Sequence, residues 1–225
     1  MSKIEIKNLG KKYSNNENYS VENFNLEIKE GEFIVLVGPS GCGKTTMLSM
    51  IAGLNPISGG NISVLGKHIK GPGPDRGVIF QSPSLMPWMT SLQNVLLGVN
   101  KVFPHATRAQ RNDIAKYYLQ KVGLEDAFNK KASELSQGMQ QRVGIARAIV
   151  NKPPILLADE PTGNLDPKLS MDILRLFETF HDAGTSVLIA THDLGLIARM
   201  KYRTFTLKQG QMIGGEQQTS RVGEA

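Results

Sequence analysis

Residues 38–46 read Gly38-Pro39-Ser40-Gly41-Cys42-Gly43-Lys44-Thr45-Thr46. They fit G-x-x-x-x-G-K-[ST] at every fixed position. Glycines leave the backbone free to wrap, so successive N–H groups can point at phosphate oxygens. A helix starting near Lys44 would add the positive end of its dipole to the same place. In that arrangement Lys44 reaches the β- and γ-phosphates of a nucleotide and the Thr45 hydroxyl reaches Mg²⁺. A second set of groups stands at residues 155–160, Ile155-Leu156-Leu157-Ala158-Asp159-Glu160, an apolar strand ending in two carboxylates. Asp159 suits the hydration shell of Mg²⁺. Glu160, one residue further, suits the orientation and deprotonation of an attacking water.

These groups need a scaffold. Phe33-Ile34-Val35-Leu36-Val37 reads as a buried strand feeding the loop, which supplies the strand–loop–helix context the motif requires. The helix after the loop is expected to run to about Ala52 and stop at Gly53. Lys3–Lys7 and Val21–Ile28 alternate apolar and polar residues, as half-buried strands do. Gly59-Gly60 opens a short hairpin over Asn61–Leu65, and Val78-Ile79-Phe80 is a strand that ends at Gln81. From about Ser82 to Val150 helical periodicity takes over, in Leu92–Val99, Arg108–Val122 and Gln140–Val150. In the second of these Ile114, Tyr118, Leu119 and Val122 form an apolar stripe, with Asn112, Lys116 and Lys121 on the polar side. Strand–helix alternation then returns: strands at Ile155–Ala158 and Ser186–Ala190 with a helix over Lys168–His181 between them. Arg203–Leu207 and Gln211–Ile213 close the fold about a Gln209-Gly210 turn, and a polar, loose tail follows from Gly214. Such alternation implies an α/β fold with a mostly parallel sheet core. The expected organisation is one domain over 1–225. Its nucleotide-binding core comprises 1–81 and 151–225, with an N-terminal antiparallel β-subdomain. An inserted helical subdomain occupies 82–150.

Composition narrows the class. The chain has 225 residues, 40% of them apolar, one cysteine and a net charge of +6. A single cysteine excludes an internal disulfide and a multi-cysteine metal site. Cys42 lies where any small residue would serve, so no catalytic role is expected of its thiol. The positive balance allows nucleic acid, an anionic membrane surface or plain solvation. The basic residues are scattered, which favours solvation. No apolar run approaches the roughly 18 residues of a membrane span, and the first residues lack the apolar core of a signal peptide. The expected compartment is therefore the cytosol.

Leu135-Ser136-Gln137-Gly138-Met139-Gln140-Gln141-Arg142 resembles L-S-G-G-Q followed by Q-R, the signature of the ATP-binding cassette of ABC proteins. The likeness extends from end to end of the chain. Gln137 stands in place of a glycine and Met139 in place of the usual glutamine. Ser136 and Gly138, the pair expected to touch phosphate, are retained. The resemblance implies an ABC-type P-loop NTPase that forms a head-to-tail homodimer with two ATP molecules between the subunits. It also implies further roles. Gln81 resembles the glutamine that contacts Mg²⁺ and the attacking water. Asn164-Leu165-Asp166 resembles the loop that communicates across the dimer. His192 resembles the switch histidine on the γ-phosphate, and Tyr13 the aromatic that stacks on adenine. The implied set is then Glu160, His192 and Gln81 for catalysis and Thr45, Gln81 and Asp159 for Mg²⁺. Nucleotide is bound by Tyr13, Gly38, Ser40, Gly41, Cys42, Gly43, Lys44, Thr45 and Thr46, with Ser136, Gly138 and Asp166.

The partner is read from Ser82-Pro83-Ser84-Leu85-Met86-Pro87-Trp88-Met89-Thr90, which holds the only tryptophan. One reading is a satellite core cluster. The favoured one is a stiffened apolar groove that receives a short helix of a membrane partner, so that region 82–105 contacts integral membrane permease subunits. Gly71–Trp88 and Phe33–Leu54 resemble the nitrate, sulfonate and taurine importer ATPases. Gln140–Asp166, Ile173–Phe180 and Ala190–Asp193 resemble the cell-division FtsE type and its lipoprotein-export relatives. The chain thus reads as a mosaic with a change near residue 139. An importer ATPase for a small anion is favoured over an FtsE-like or export-like ATPase. A cassette acting on nucleic acid is not expected, since that class carries coiled coils or paired cassettes. The location implied is cytoplasmic, peripheral on the inner face of the cell membrane.

Overall fold

The computed structural model describes residues 2–13, 19–199 and 201–216. Two compact units emerge, one holding the described residues up to Gly73 and from His181 onward, the other Pro74–Phe180.

The first unit has two groups of strands. β1 (Ser2–Lys12) pairs antiparallel with β2 (Tyr19–Lys29) and with β4 (Gly59–Val64), which pairs with the two-residue β5 (Lys67–His68). This is the expected antiparallel β-subdomain, with strands longer than the alternating stretches alone indicate. In the second group β3 (Phe33–Val37) is central, parallel to β8 (Ser186–Thr191) on one side and β9 (Arg203–Lys208) on the other. All residues of β3 and β8 are buried, as strands covered on both faces must be. β10 (Gln211–Glu216) pairs antiparallel with β9, so Gly214 lies in a strand; the expected loose tail beyond Glu216 lies outside the described residues. Helix α1 (Lys44–Ile51) packs on β8 and β2 and buries Met47, Leu48, Met50 and Ile51. It ends where Gly53 turns at φ +74. A Cβ there would sit 2.2 Å from the Gly71 carbonyl oxygen, so this stop is both conformational and steric. A short helix, α6 (Leu194–Ile197), was not legible in the sequence.

The second unit pairs β6 (Arg76–Ile79) in parallel with β7 (Ile155–Asp159). Its helices are α2 (Ser91–Val102), α3 (Arg108–Lys121), α4 (Gln137–Ile149) and α5 (Pro167–Asp182). Their starts follow from side chains. Thr90 with Gln93 and Thr107 with Gln110 form reciprocal capping boxes, in which the hydroxyl accepts a backbone N–H and the amide returns the bond. Ser136 caps α4 by accepting from the Met139 N–H at 3.3 Å, which starts that helix at Gln137 rather than Gln140. Asp166 accepts from the backbone N–H groups of Lys168 and Leu169, each at 3.0 Å, with Pro167 at the first helical position. On α3 Tyr118 and Leu119 are buried, as is Val122 just beyond it, while Lys116 and Lys121 are exposed.

Candidate active site

In the first unit, ladder pairs join Val37 to Thr191 of β8 and to Thr206 of β9. Gly38 and His192 therefore leave the carboxyl ends of adjacent parallel strands, which lie about 4.8 Å apart. Open α/β sheets bind ligands at such ends. Three glycines shape the loop. Gly41 and Gly43 have φ of +78 and +106, the left-handed region that L side chains avoid. Gly38 is set by space instead, since a Cβ would lie 2.3 Å from the Leu207 carbonyl oxygen. Gly43 is also the N-cap of α1, and no side chain caps it. A helix start of this kind, with no side-chain cap, favours an anion. Lys44 is 5% exposed, and its ammonium donates to the carbonyls of Gly38 at 2.7 Å and Pro39 at 3.2 Å. The charge that the motif aims at phosphate lies along the loop's own backbone. Thr45 and Ser40 are exposed and Thr46 is half-buried. Cys42 is buried, and its carbonyl accepts from the Gly210 N–H at 3.0 Å, so it serves as backbone scaffold. His192 is exposed at the end of β8, beside Asp193, whose N–H donates to the Thr191 hydroxyl at 3.1 Å. Tyr13 is set against two partners: its hydroxyl accepts from Asn55 at 2.8 Å and the Lys11 ammonium stands 4.9 Å from its ring centroid.

In the second unit the β6–β7 ladder ends at Ile79 opposite Ala158. Gln81 and Glu160 both stand two residues past that last pair. Asp159 and Glu160 are 7% and 8% exposed, where positive charge would stabilise two adjacent carboxylates. Glu160 holds φ +44, a left-handed backbone that costs about 1–3 kcal/mol for a non-glycine residue and recurs at functional sites. Its carbonyl accepts from the Gly163 N–H at 2.9 Å, closing the turn that leads to Asn164 and Asp166. Gln81 lies on that turn, with its amide nitrogen 3.2 Å from where a Gly163 Cβ would be. Gln81, Pro83, Gln137, Gln140, Gly163 and Asn164 line one polar cleft of about 290 Å³. Three separate stretches of sequence converge there.

The signature loop resolves its own departures. Gln137 is the first residue of α4, in right-handed backbone, so nothing in its conformation demands glycine. Gly138 is the constrained position, since a Cβ would press Leu169 Cδ1 at 3.1 Å. Asp166 spends its carboxylate on the cap of α5 within the same chain, a use the motif did not announce.

The segment after Gln81 is not a core cluster. Trp88 is 67% exposed, and Phe80 and Leu97 are exposed as well. The segment is nonetheless firmly held. Asn94 of α2, fully buried, donates to the carbonyls of Met86, Met89 and Thr90 and accepts from the Met86 N–H at 2.8 Å. Arg147 of α4 donates to the carbonyls of Pro83 at 2.8 Å and Ser84 at 3.2 Å, and burial lowers its pKa. Sequence reasoning missed Asn94 and Arg147. For Asn94 the available signal was an amide beside Val95 and Val99 on the buried stripe of an amphipathic helix.

Among the described residues no cluster of three or more His, Cys, Asp or Glu could hold a metal, and no helix is long and apolar enough to cross a membrane. A Mg²⁺ bound by one carboxylate, a threonine hydroxyl and substrate phosphates needs no such cluster.

Comparison with known proteins gives the family. The ABC transporter family model matches residues 21–163, more than half of the chain. The bicarbonate transport ATP-binding protein CmpD of Synechocystis sp. is 43% identical over 194 residues, 85% of this chain and 69% of that protein. CmpC of the same organism is 41% identical over 221 residues, 94% of this chain but only 33% of that longer protein. That match runs through position 139. The taurine import ATP-binding protein TauB of Shigella flexneri is 45% identical over 177 residues, 78% of this chain and 68% of that protein. Among solved structures, a dimeric bacterial ABC transporter cassette superposes with TM-score 0.88 at 36% identity, over 96% of this chain and 99% of that one. A cassette dimer in a post-hydrolysis state with ADP and Pi gives TM-score 0.87 at 35% identity, over 96% and 99%. Motifs, fold and relatives converge, and the chain belongs to the ABC transporter family.

Proposed function

We propose that this protein binds and hydrolyses ATP to energise a membrane permease that imports a small anion of the bicarbonate, nitrate, sulfonate or taurine kind. The observation that carries the reading is the phosphate loop. Its glycines fix left-handed and close-packed backbone around a helix start without a side-chain cap. The names of its relatives, bicarbonate and taurine transport ATP-binding proteins, support the transport role and the anionic solute.

The first unit supplies the phosphate loop, where backbone N–H groups and Lys44 neutralise the β- and γ-phosphates. Tyr13 offers a face to adenine. Thr45, Asp159 and Gln81 are the residues that would hold Mg²⁺, which when bound neutralises charge on the phosphate oxygens. Glu160 takes the proton of the attacking water, Gln81 orients that water, and His192 holds the γ-phosphate. Ser136 and Gly138 of a second copy complete the site in a head-to-tail dimer with two ATP molecules. Solved dimers of similar cassettes support the dimer. Catalysis of this kind is positioning and electrostatics; the useful work is dimer closure and opening. Region 82–105, with exposed Trp88, is the surface for the permease at the inner face of the membrane.

Glu160→Gln tests the reading. It keeps the shape of the side chain and removes the base, so turnover should fall about a hundredfold or more while ATP binding persists. Size-exclusion chromatography should then show an ATP-dependent dimer. A monomer at saturating ATP would overturn the sandwich. The same variant, tagged and purified from native membranes with ATP, should retain a multi-span permease together with a solute-binding protein. The stretch Gln140–Asp166 favours a second reading, an FtsE-like or lipoprotein-export ATPase, which a partner with a large external domain would establish.

A further inference from the structure

Gln81 lies beyond the last ladder pair of β6, Ile79 with Ala158, so the sheet does not fix its backbone. One face of α4 does. Gln141 is 4% exposed, and its amide donates to the carbonyl of Phe80 at 3.2 Å, the residue just before Gln81. One turn on, Gly144 abuts Pro83, with its would-be Cβ 3.2 Å from Pro83 Cβ. A further turn on, Arg147 donates to the carbonyls of Pro83 and Ser84. Positions 141, 144 and 147 recur at helical spacing along one face. Gln81 is therefore suspended between two anchors that belong to a single helix, and that helix is the one whose first turn carries Ser136 and Gly138.

We infer that Gln141 is a positioning residue that sets Gln81, so that the register of the signature helix is transmitted to the residue that orients water. This rests on the role proposed above for Gln81. The two anchors are not equivalent. Arg147 bonds carbonyls two and three residues after Gln81, whereas Gln141 bonds the one immediately before it and is the nearer constraint on its φ and ψ. Gly144 supplies close approach rather than a bond. A side chain there larger than hydrogen would push Pro83 away and lengthen both anchors.

The test uses the purified full chain and the variants Gln141→Met, Gln81→Ala and the double variant. Methionine keeps the volume and removes the donor. The expected result is a kcat about ten-fold lower for Gln141→Met, with KM for ATP within about two-fold. Hydrogen exchange in the peptide spanning 79–85 should be faster, and the melting temperature little changed. Because Gln141 acts through Gln81, the double variant should be no slower than Gln81→Ala alone. Losses that multiply in the double variant, or unchanged exchange in 79–85, would overturn the inference while leaving the Gln81 role intact. An unchanged kcat in Gln81→Ala would overturn both, and is separately visible. A Gln141→Met defect in KM alone would assign Gln141 to ground-state binding and overturn the inference too.

Discussion

The two units hold their functional loops by different means. In the first, the phosphate loop is fixed by what side chains are absent: Gly38 because the Leu207 carbonyl is too close, Gly41 and Gly43 because the backbone turns left-handed. In the second, Gln81 and the segment to Thr90 are fixed by side chains that are present. Asn94, Gln141 and Arg147 reach from two helices to backbone carbonyls. A loop built on such positions admits few other residues, because a side chain there would meet backbone atoms or strain a left-handed φ. A loop held by side-chain donors follows the helix that carries them. Rigid recognition of an invariant group, phosphate, suits the first. Transmission of motion from a helix or a partner suits the second.

Lys44→Ala and Asn94→Ala should separate the two designs most widely. Removing the Lys44 ammonium should weaken nucleotide affinity about a hundredfold, equivalent to roughly 3 kcal/mol, through loss of charge-assisted bonds to phosphate. It should lower thermal stability without nucleotide only modestly, by about 1 kcal/mol, through the lost bonds to the Gly38 and Pro39 carbonyls. Calorimetric titration with ATP checks the first part and a melting curve the second. Asn94→Ala should do the opposite. It strips the Met86 N–H of its acceptor and removes one of two donors from each of the Met86, Met89 and Thr90 carbonyls, at about 2 kcal/mol of stability, yet nucleotide affinity should hold within about two-fold. Loss of ATP binding in Asn94→Ala with unchanged melting would break the contrast.

The smallest expected effect lies in neither loop. Lys3, buried in β1, donates to Glu30 at 2.9 Å, and its ammonium holds the Glu30 carboxyl below the usual carboxylate range. A depressed carboxylate stabilises the fold above its unfolded pKa and loses that contribution as pH falls through the folded value. Glu30→Gln should therefore lower the urea midpoint slightly at neutral pH, and the difference from wild type should shrink as pH falls below about 4. A difference that grows in acid would remove the pair from any stabilising role. The effect is small because Glu30 is largely exposed, where water screens the pair.

Much of this molecule is readable without coordinates. The strand Phe33–Val37, the loop Gly38–Thr46 and the carboxylates Asp159 and Glu160 announce themselves, because phosphate and metal chemistry tolerates few residue types at those spacings. The periodicity places one helix start at Arg108, as the fold has it, and the other at Leu92, one residue after the Ser91 that the Thr90 capping box sets. The start of α4 at Gln137 was three residues earlier than its apolar periodicity indicates, because the Ser136 cap sets it and Gln137, Gly138 and Met139 carry little periodic signal. Trp88 left a core cluster open as the alternative to a surface for a partner; Asn94 holds the backbone of the loop and the ring stands in solvent.

The linear order of residues sets which chemistry this chain performs. Local motifs fix the ligand, because a phosphate loop is a continuous run whose backbone binds. It also determined the α/β class, through the period of its apolar residues. What Gln81 rests on, that Gly138 packs tightly against Leu169, and that Asp166 caps a helix emerge only from the packed chain. Each depends on contacts between residues distant in the chain, such as Gln141 and Phe80 or Gly138 and Leu169. A side chain's type states which bonds it can make, and only the packed fold determines which of them it makes.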